Sequence, residues 1–135
     1  MKLEDQVCSL ELAKRLKELG VKQESASYWN FNSSAPTQGW FLDDENLAYS
    51  VEETCSSFTV AELGEMLPRV LTMCSGEDHF FDSFRLEDGT WRLSYTNGVF
   101  ENEDVEPQVH PGTEADARAK MLIYLIENNL LEGVA

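Results

Sequence analysis

Few residues in this chain could make or break bonds, and their spacing narrows the chemistry further. A thiol nucleophile needs a neighbouring imidazole or other cation to hold its thiolate. Cys74 and His79 are the only Cys and His close enough in sequence to be weighed for that role. They straddle an expected turn at Gly76, and Glu77 and Asp78 beside them would raise a thiol pKa rather than lower it. His110, between Val109 and Pro111, reads as a surface residue of a loop. The three cysteines, Cys8, Cys55 and Cys74, form no CxxC pair and have no His at ligand spacing, so buried reduced thiols are expected rather than disulfides. Asp43-Asp44-Glu45-Asn46 is the nearest imitation of a calcium loop, but it lacks the Gly at the sixth place and the spaced acids that wrap the ion. Glu101-Asn102-Glu103-Asp104-Val105-Glu106 fails in the same way. No P-loop, GxGxxG, GxSxG or HExxH pattern occurs. The expectation is therefore no catalytic residue, no metal and no cofactor.

Charge is the stronger signal. Ten Lys and Arg stand against 25 Asp and Glu, a formal net charge of −15 over 135 residues. So acidic a chain is a poor ligand for a nucleic-acid backbone or an anionic membrane surface, both polyanions. Residues 1–42 carry five acids and five bases, residues 43–106 carry 16 acids and three bases, and residues 107–135 carry four acids and two bases. The excess lies in the middle, and most of its acids fall at expected turns and edges. Such a stretch is either a solvated, aggregation-resistant coat or an acidic face that competes with nucleic acid for a basic groove. On the second reading Asp43, Asp44, Glu45, Glu101, Glu103, Asp104 and Glu106 are the candidate partner-binding residues.

The elements that must position these residues can be read from period and punctuation. Ser9 is placed to cap a helix with Leu12, Leu16 and Leu19 on one stripe, ended by Gly20. Lys14, Arg15 and Lys17 lie on its wet side and suit the negative end of the helix dipole, a solvated face rather than a phosphate site. Tyr28 to Phe31 and Trp40 to Leu42 read as a hairpin with a long loop, and Leu47 to Val51 as the next strand. Thr59 and Glu62 form a capping box, with Phe58 as a staple onto Leu63, and the helix must stop by Pro68. Val70 to Met73 and His79 to Leu86 read as strands. Asp88-Gly89 joins the second of these to Trp91–Tyr95, with Trp91, Leu93 and Tyr95 on one face. Residues 96–112 read as a loop or ragged edge. Thr113 then caps a helix from Glu114 to about Asn128, whose apolar stripe is Ala115, Ala119, Leu122, Ile123 and Ile126. Leu130 and Leu131 are expected to tuck back. The order predicts a single α+β domain, residues 1–135, in which an antiparallel sheet of about five or six short strands packs against about three helices.

Three stretches, Ser9-Leu-Glu-Leu-Ala-Lys-Arg-Leu-Lys-Glu-Leu-Gly-Val21, Phe58-Thr-Val-Ala-Glu-Leu-Gly-Glu-Met-Leu-Pro68 and Glu114-Ala-Asp-Ala-Arg-Ala-Lys-Met-Leu-Ile-Tyr-Leu-Ile-Glu-Asn128, carry a further signal. In order and spacing they resemble a family of small uncharacterised proteins encoded by bacteriophages, prophages and related mobile elements. The resemblance covers about a third of the chain and implies a bacterial host cytoplasm, but no activity and no site residue. The apolar run Met121–Ile126 is far short of the roughly 20 residues of a membrane span. The expectation is a non-enzymatic accessory protein that binds a basic host or phage protein through its acidic surface, without direct contact to nucleic acid or membrane. A small enzyme with a carboxylate-based site and a structural or assembly component of the phage particle are the alternatives.

Overall fold

Most helix ends in this chain are explained by the few residues around them. The computed structural model describes residues 2–33, 39–48, 51–73, 76–97 and 107–131. A short α1 (Leu3–Gln6) leads into α2 (Leu10–Glu18), with Leu16 and Ala13 buried. Gly20, at φ +88°, donates its N–H to the Lys17 carbonyl while Val21 donates to Leu16, the paired bonds of a Schellman close. The hydroxyl of Ser9 makes no capping bond, contrary to expectation. Its backbone N–H is held instead by Asp116 Oδ1 at 2.6 Å, from the far end of the chain.

Strands β1 (Tyr28–Asn32), β2 (Gly39–Asp43) and β3 (Glu53–Ser56) form a three-stranded antiparallel sheet in the order β2-β1-β3. The hairpin is as read from sequence, with Tyr28 opposite Asp43 and Asn32 opposite Gly39. Of the strand expected at Leu47–Val51, Leu47, Ala48 and Val51 lie in no strand, and Tyr49 and Ser50 lie outside the described residues; the third strand starts later, at Glu53. Asn46 Oδ1 accepts the Ala48 N–H at 3.0 Å, and Val51 N–H reaches back to the Leu47 carbonyl. These local bonds close a turn where apolar residues alone read as a strand.

Helix α3 (Val60–Met66) opens on a complete capping box: Thr59 Oγ1 accepts from Glu62 N–H at 3.2 Å, and the Glu62 carboxylate accepts from Thr59 N–H at 3.0 Å. Phe58 and Leu63, the expected staple, are both buried in the core. After it come β4 (Val70–Thr72), β5 (Asp78–Arg85), β6 (Trp91–Thr96) and β7 (Gln108–His110), a four-stranded antiparallel sheet in that order. The turn between β5 and β6 has Gly89 at φ +87°, a conformation that favours glycine, and Leu86 N–H bonds to the Thr90 carbonyl.

Helix α4 (Glu114–Glu127) is capped by Thr113 Oγ1 and ends in a second Schellman close, with Asn129 at φ +57° and Leu130 N–H on the Leu125 carbonyl. It packs against α2, α3, β6 and β7, so it stands at the centre of the molecule. That position corrects the expected stripe. With neighbours on several sides, Ala115, Ala117, Ala119, Met121, Leu122 and Leu125 are buried, while Ile123 and Ile126 are only half-buried. Leu130 and Leu131 do pack against the core. The α+β fold is thus as expected, but with two sheets in place of one, and with seven strands and four helices among the described residues.

Candidate functional site

Of the seven acidic residues marked by sequence, Glu101, Glu103, Asp104 and Glu106 lie outside the described residues. Asp43, Asp44 and Glu45 form the turn that follows β2. Asp43 Oδ1 accepts from Glu45 N–H at 3.0 Å, folding the three acids into a tight bend. Asn30, fully buried in the middle of β1, fastens the bend from below. Its Nδ2 donates to the Glu45 carbonyl at 3.3 Å, and its Oδ1 accepts the Leu47 N–H at 3.4 Å. Asp44 and Glu45 are exposed, and Asp43 is half-buried.

Other carboxylates of the acidic middle lie elsewhere. Glu52 sits by the opposite end of β1, where it accepts from Ser33 Oγ at 2.5 Å and Ser33 N–H at 3.0 Å. These bonds hold its carboxyl below the ordinary range. Glu77, Asp78, Asp82, Glu87 and Asp88 lie along and beside β5, in the second sheet, and all are exposed. The Thr90 hydroxyl and N–H on Asp88 likewise lower that carboxyl.

The candidate nucleophiles and bases are scattered. Cys8 and Cys55 are free and buried, and burial pushes the Cys8 thiol up to about 12 and raises that of Cys55. Cys74 lies outside the described residues. His79 is fully buried on β5, the strand it was expected to open, and stands opposite Leu71. His110 belongs to β7 rather than to a loop, because strand pairing places it opposite Trp91. Its Nδ1 accepts from Gly112 N–H at 2.9 Å, and burial lowers its pKa. Among the described residues no group of three His, Cys, Asp or Glu side chains could hold a metal ion.

The basic cluster of α2 is consumed locally. Lys14 Nζ stands 4.5 Å from the centre of the Trp40 ring, Arg15 pairs with Glu18 and Glu127, and Lys17 Nζ bonds to the Thr54 carbonyl at 2.6 Å. Arg15, Lys14 and Lys120 share an open groove of about 650 Å³ between α2 and α4 with Glu11, Glu18 and Glu127, so the groove presents neither sign of charge.

Sequence reading missed the outward face of the four-stranded sheet. On β5 the alternation sends His79 and Phe81 inward, where the Phe81 ring lies 5.4 Å from that of buried Tyr95. Asp78, Phe80, Asp82 and Phe84 therefore point outward. Val70 stands opposite Phe80, and Val109 stands opposite Arg92, which stands opposite Phe84. The exposures are 41% for Val70, 56% for Phe80, 37% for Phe84 and 48% for Val109. The signal was present as D-x-F-x-D-x-F, two carboxylates and two phenyl rings at two-residue spacing.

No family model matches the chain, and neither curated proteins nor solved structures give a match. Among the described residues no helix is long and apolar enough to cross a membrane.

Proposed function

We propose that this chain is a non-enzymatic accessory protein that binds a basic host or phage protein through its acidic surface, standing in for nucleic acid at a basic groove. The observation that supports the reading best is the Asp43–Glu45 bend. Asn30 and the Asp43 carboxylate fix its backbone before any partner arrives, so the main chain that presents the exposed Asp44 and Glu45 carboxylates is already in place for cationic side chains. The resemblance of the helical stretches to phage-encoded proteins supplies the setting, a bacterial cytoplasm.

The experiment is a pulldown from a bacterial host at low and high salt, followed by association kinetics with the recovered protein. Exposed ion pairs are screened beyond a Debye length of about 8 Å at physiological ionic strength, so binding should weaken steeply as salt rises. Charge reversal at Asp44 and Glu45, or at Glu101, Glu103, Asp104 and Glu106, should slow association. Reversal at Glu11 and Glu18 of α2 should matter little. Equal effects from all sets, or binding indifferent to salt, would reduce the acidic middle to a soluble coat.

A further inference from the structure

The outward face of the β4–β7 sheet combines two properties that a mere solvated surface does not need together. Four large apolar side chains, Val70, Phe80, Phe84 and Val109, are exposed across three strands, and no helix of the described residues covers them. Exposed apolar side chains gathered on one face and rimmed by polar residues, unlike ones scattered singly, are the mark of an interaction surface. The phenyl rings of β5 also alternate with carboxylates, Asp78 before Phe80 and Asp82 between Phe80 and Phe84. Glu77, Glu87 and Asp88 flank the same strand, against two bases at this face, Arg92 opposite Phe84 and exposed Arg69 beside Val70 and Phe80.

We infer that this face is the apolar centre of the partner-binding surface, and that it takes a protein segment whose apolar side chains are flanked by Lys or Arg. The inference rests on the acidic-surface reading and adds to it where the partner sits. Charge decides the occupant. A second copy docked by two-fold symmetry would bring the β5 carboxylates of one copy towards those of the other, in a chain whose net charge is already −15. A basic rim meets those same carboxylates favourably while Phe80 and Phe84 fill apolar positions at the centre. Aromatic anchors ringed by polar contacts are the usual arrangement where a few residues dominate binding.

The test uses the full chain and two synthetic amphipathic peptides, one of Leu and Lys and one of Leu and Glu, titrated by amide-resolved NMR and calorimetry. The Leu/Lys peptide should shift amide signals of β5 and its register partners in β4 and β6. Its affinity should fall about tenfold or more in the Phe80→Ser, Phe84→Ser double variant. Both rings are exposed, so that variant should keep its fold, which its amide spectrum verifies; Val109→Ser on β7 supplies an independent second variant. Salt-dependent Leu/Lys binding that neither variant alters would overturn this inference and leave the acidic-surface reading standing. Equal affinity for the Leu/Glu peptide would overturn the basic-partner chemistry of both. A concentration-dependent dimer abolished by Phe80→Ser would overturn the inference in favour of a second copy.

Discussion

Asp116 ties the two ends of the described chain together, and its removal tests that joint directly. It is the third residue of α4, and its N–H is capped by Thr113 Oγ1 at 3.2 Å. In a capping box the carboxylate at this position turns back onto its own helix start. Here it accepts the half-buried Ser9 N–H at 2.6 Å, the bond a carboxylate at the third position of α2 would make, where Leu12 stands instead. A hydrogen bond to a charged acceptor contributes about 1.5–3 kcal/mol. The negative charge in the first turn of α4 adds about 0.3–1 kcal/mol. Asp116→Ala should therefore cost about 2–4 kcal/mol, while Asp116→Asn, which keeps an acceptor oxygen and loses the charge, should cost about half as much. Urea melts followed by far-ultraviolet circular dichroism, with unchanged m-values, would measure both. An Ala cost below about 0.5 kcal/mol would mean that the Ser9–Asp116 bond does not hold the helices together. An Asn cost equal to that of Ala would mean that charge, and not the acceptor, is what matters.

Three further outcomes are expected. Leu122→Ala, at a fully buried position on α4, should cost about 2–5 kcal/mol in a denaturant melt, and a negligible cost would show that its site collapses freely. Cys8 and Cys55 should react with a thiol reagent only after unfolding, since burial raises both thiol pKa values, that of Cys8 to about 12; fast native-state labelling of either would contradict their placement. Ser33→Ala should raise the Glu52 pKa towards the ordinary carboxylate value, because the Ser33 hydroxyl is the largest cause of its depression. A depressed folded-state pKa stabilises above the unfolded value and loses that contribution as pH falls through the folded one. Wild type and variant should therefore differ near neutral pH and converge in acid, and an NMR titration of the Glu52 carboxyl that shows no rise would refute the contact.

Where local bonds decide an element, the residues alone sufficed. Thr59 and Glu62 announce α3, Asp88-Gly89 announces its hairpin, and Gly20 announces the end of α2, each because the signal and its partner lie within a few residues. The errors arise where distant contacts win. Leu47–Val51 has strand composition, yet buried Asn30, 17 residues earlier, holds the Leu47 N–H. Ile123 and Ile126 have helical spacing, yet a helix flanked by α2, α3 and a sheet buries Met121 and Leu125 more completely. His79 and Phe80 are adjacent, and nothing in their types says that the imidazole faces in and the phenyl faces out. As for the acidic surface, the chain order supplied its charge, but only the fold divides Asp43–Glu45 from the carboxylates of β5 between two sheets.

The central place of α4 bears on how the protein is made. Synthesis at roughly 5–20 residues per second leaves about 5 to 20 s between the appearance of Ser9 and that of Asp116, 107 positions later. During that interval α2, α3 and the β5–β6 hairpin can form locally, but Leu16, Leu63 and Leu93 have no α4 to close over them. The nascent chain thus passes through a stage in which a partly built apolar interior faces the cell. Its dense carboxylates, 21 of the 25 emerging before α4, then repel other chains at the moment when sticking is most dangerous.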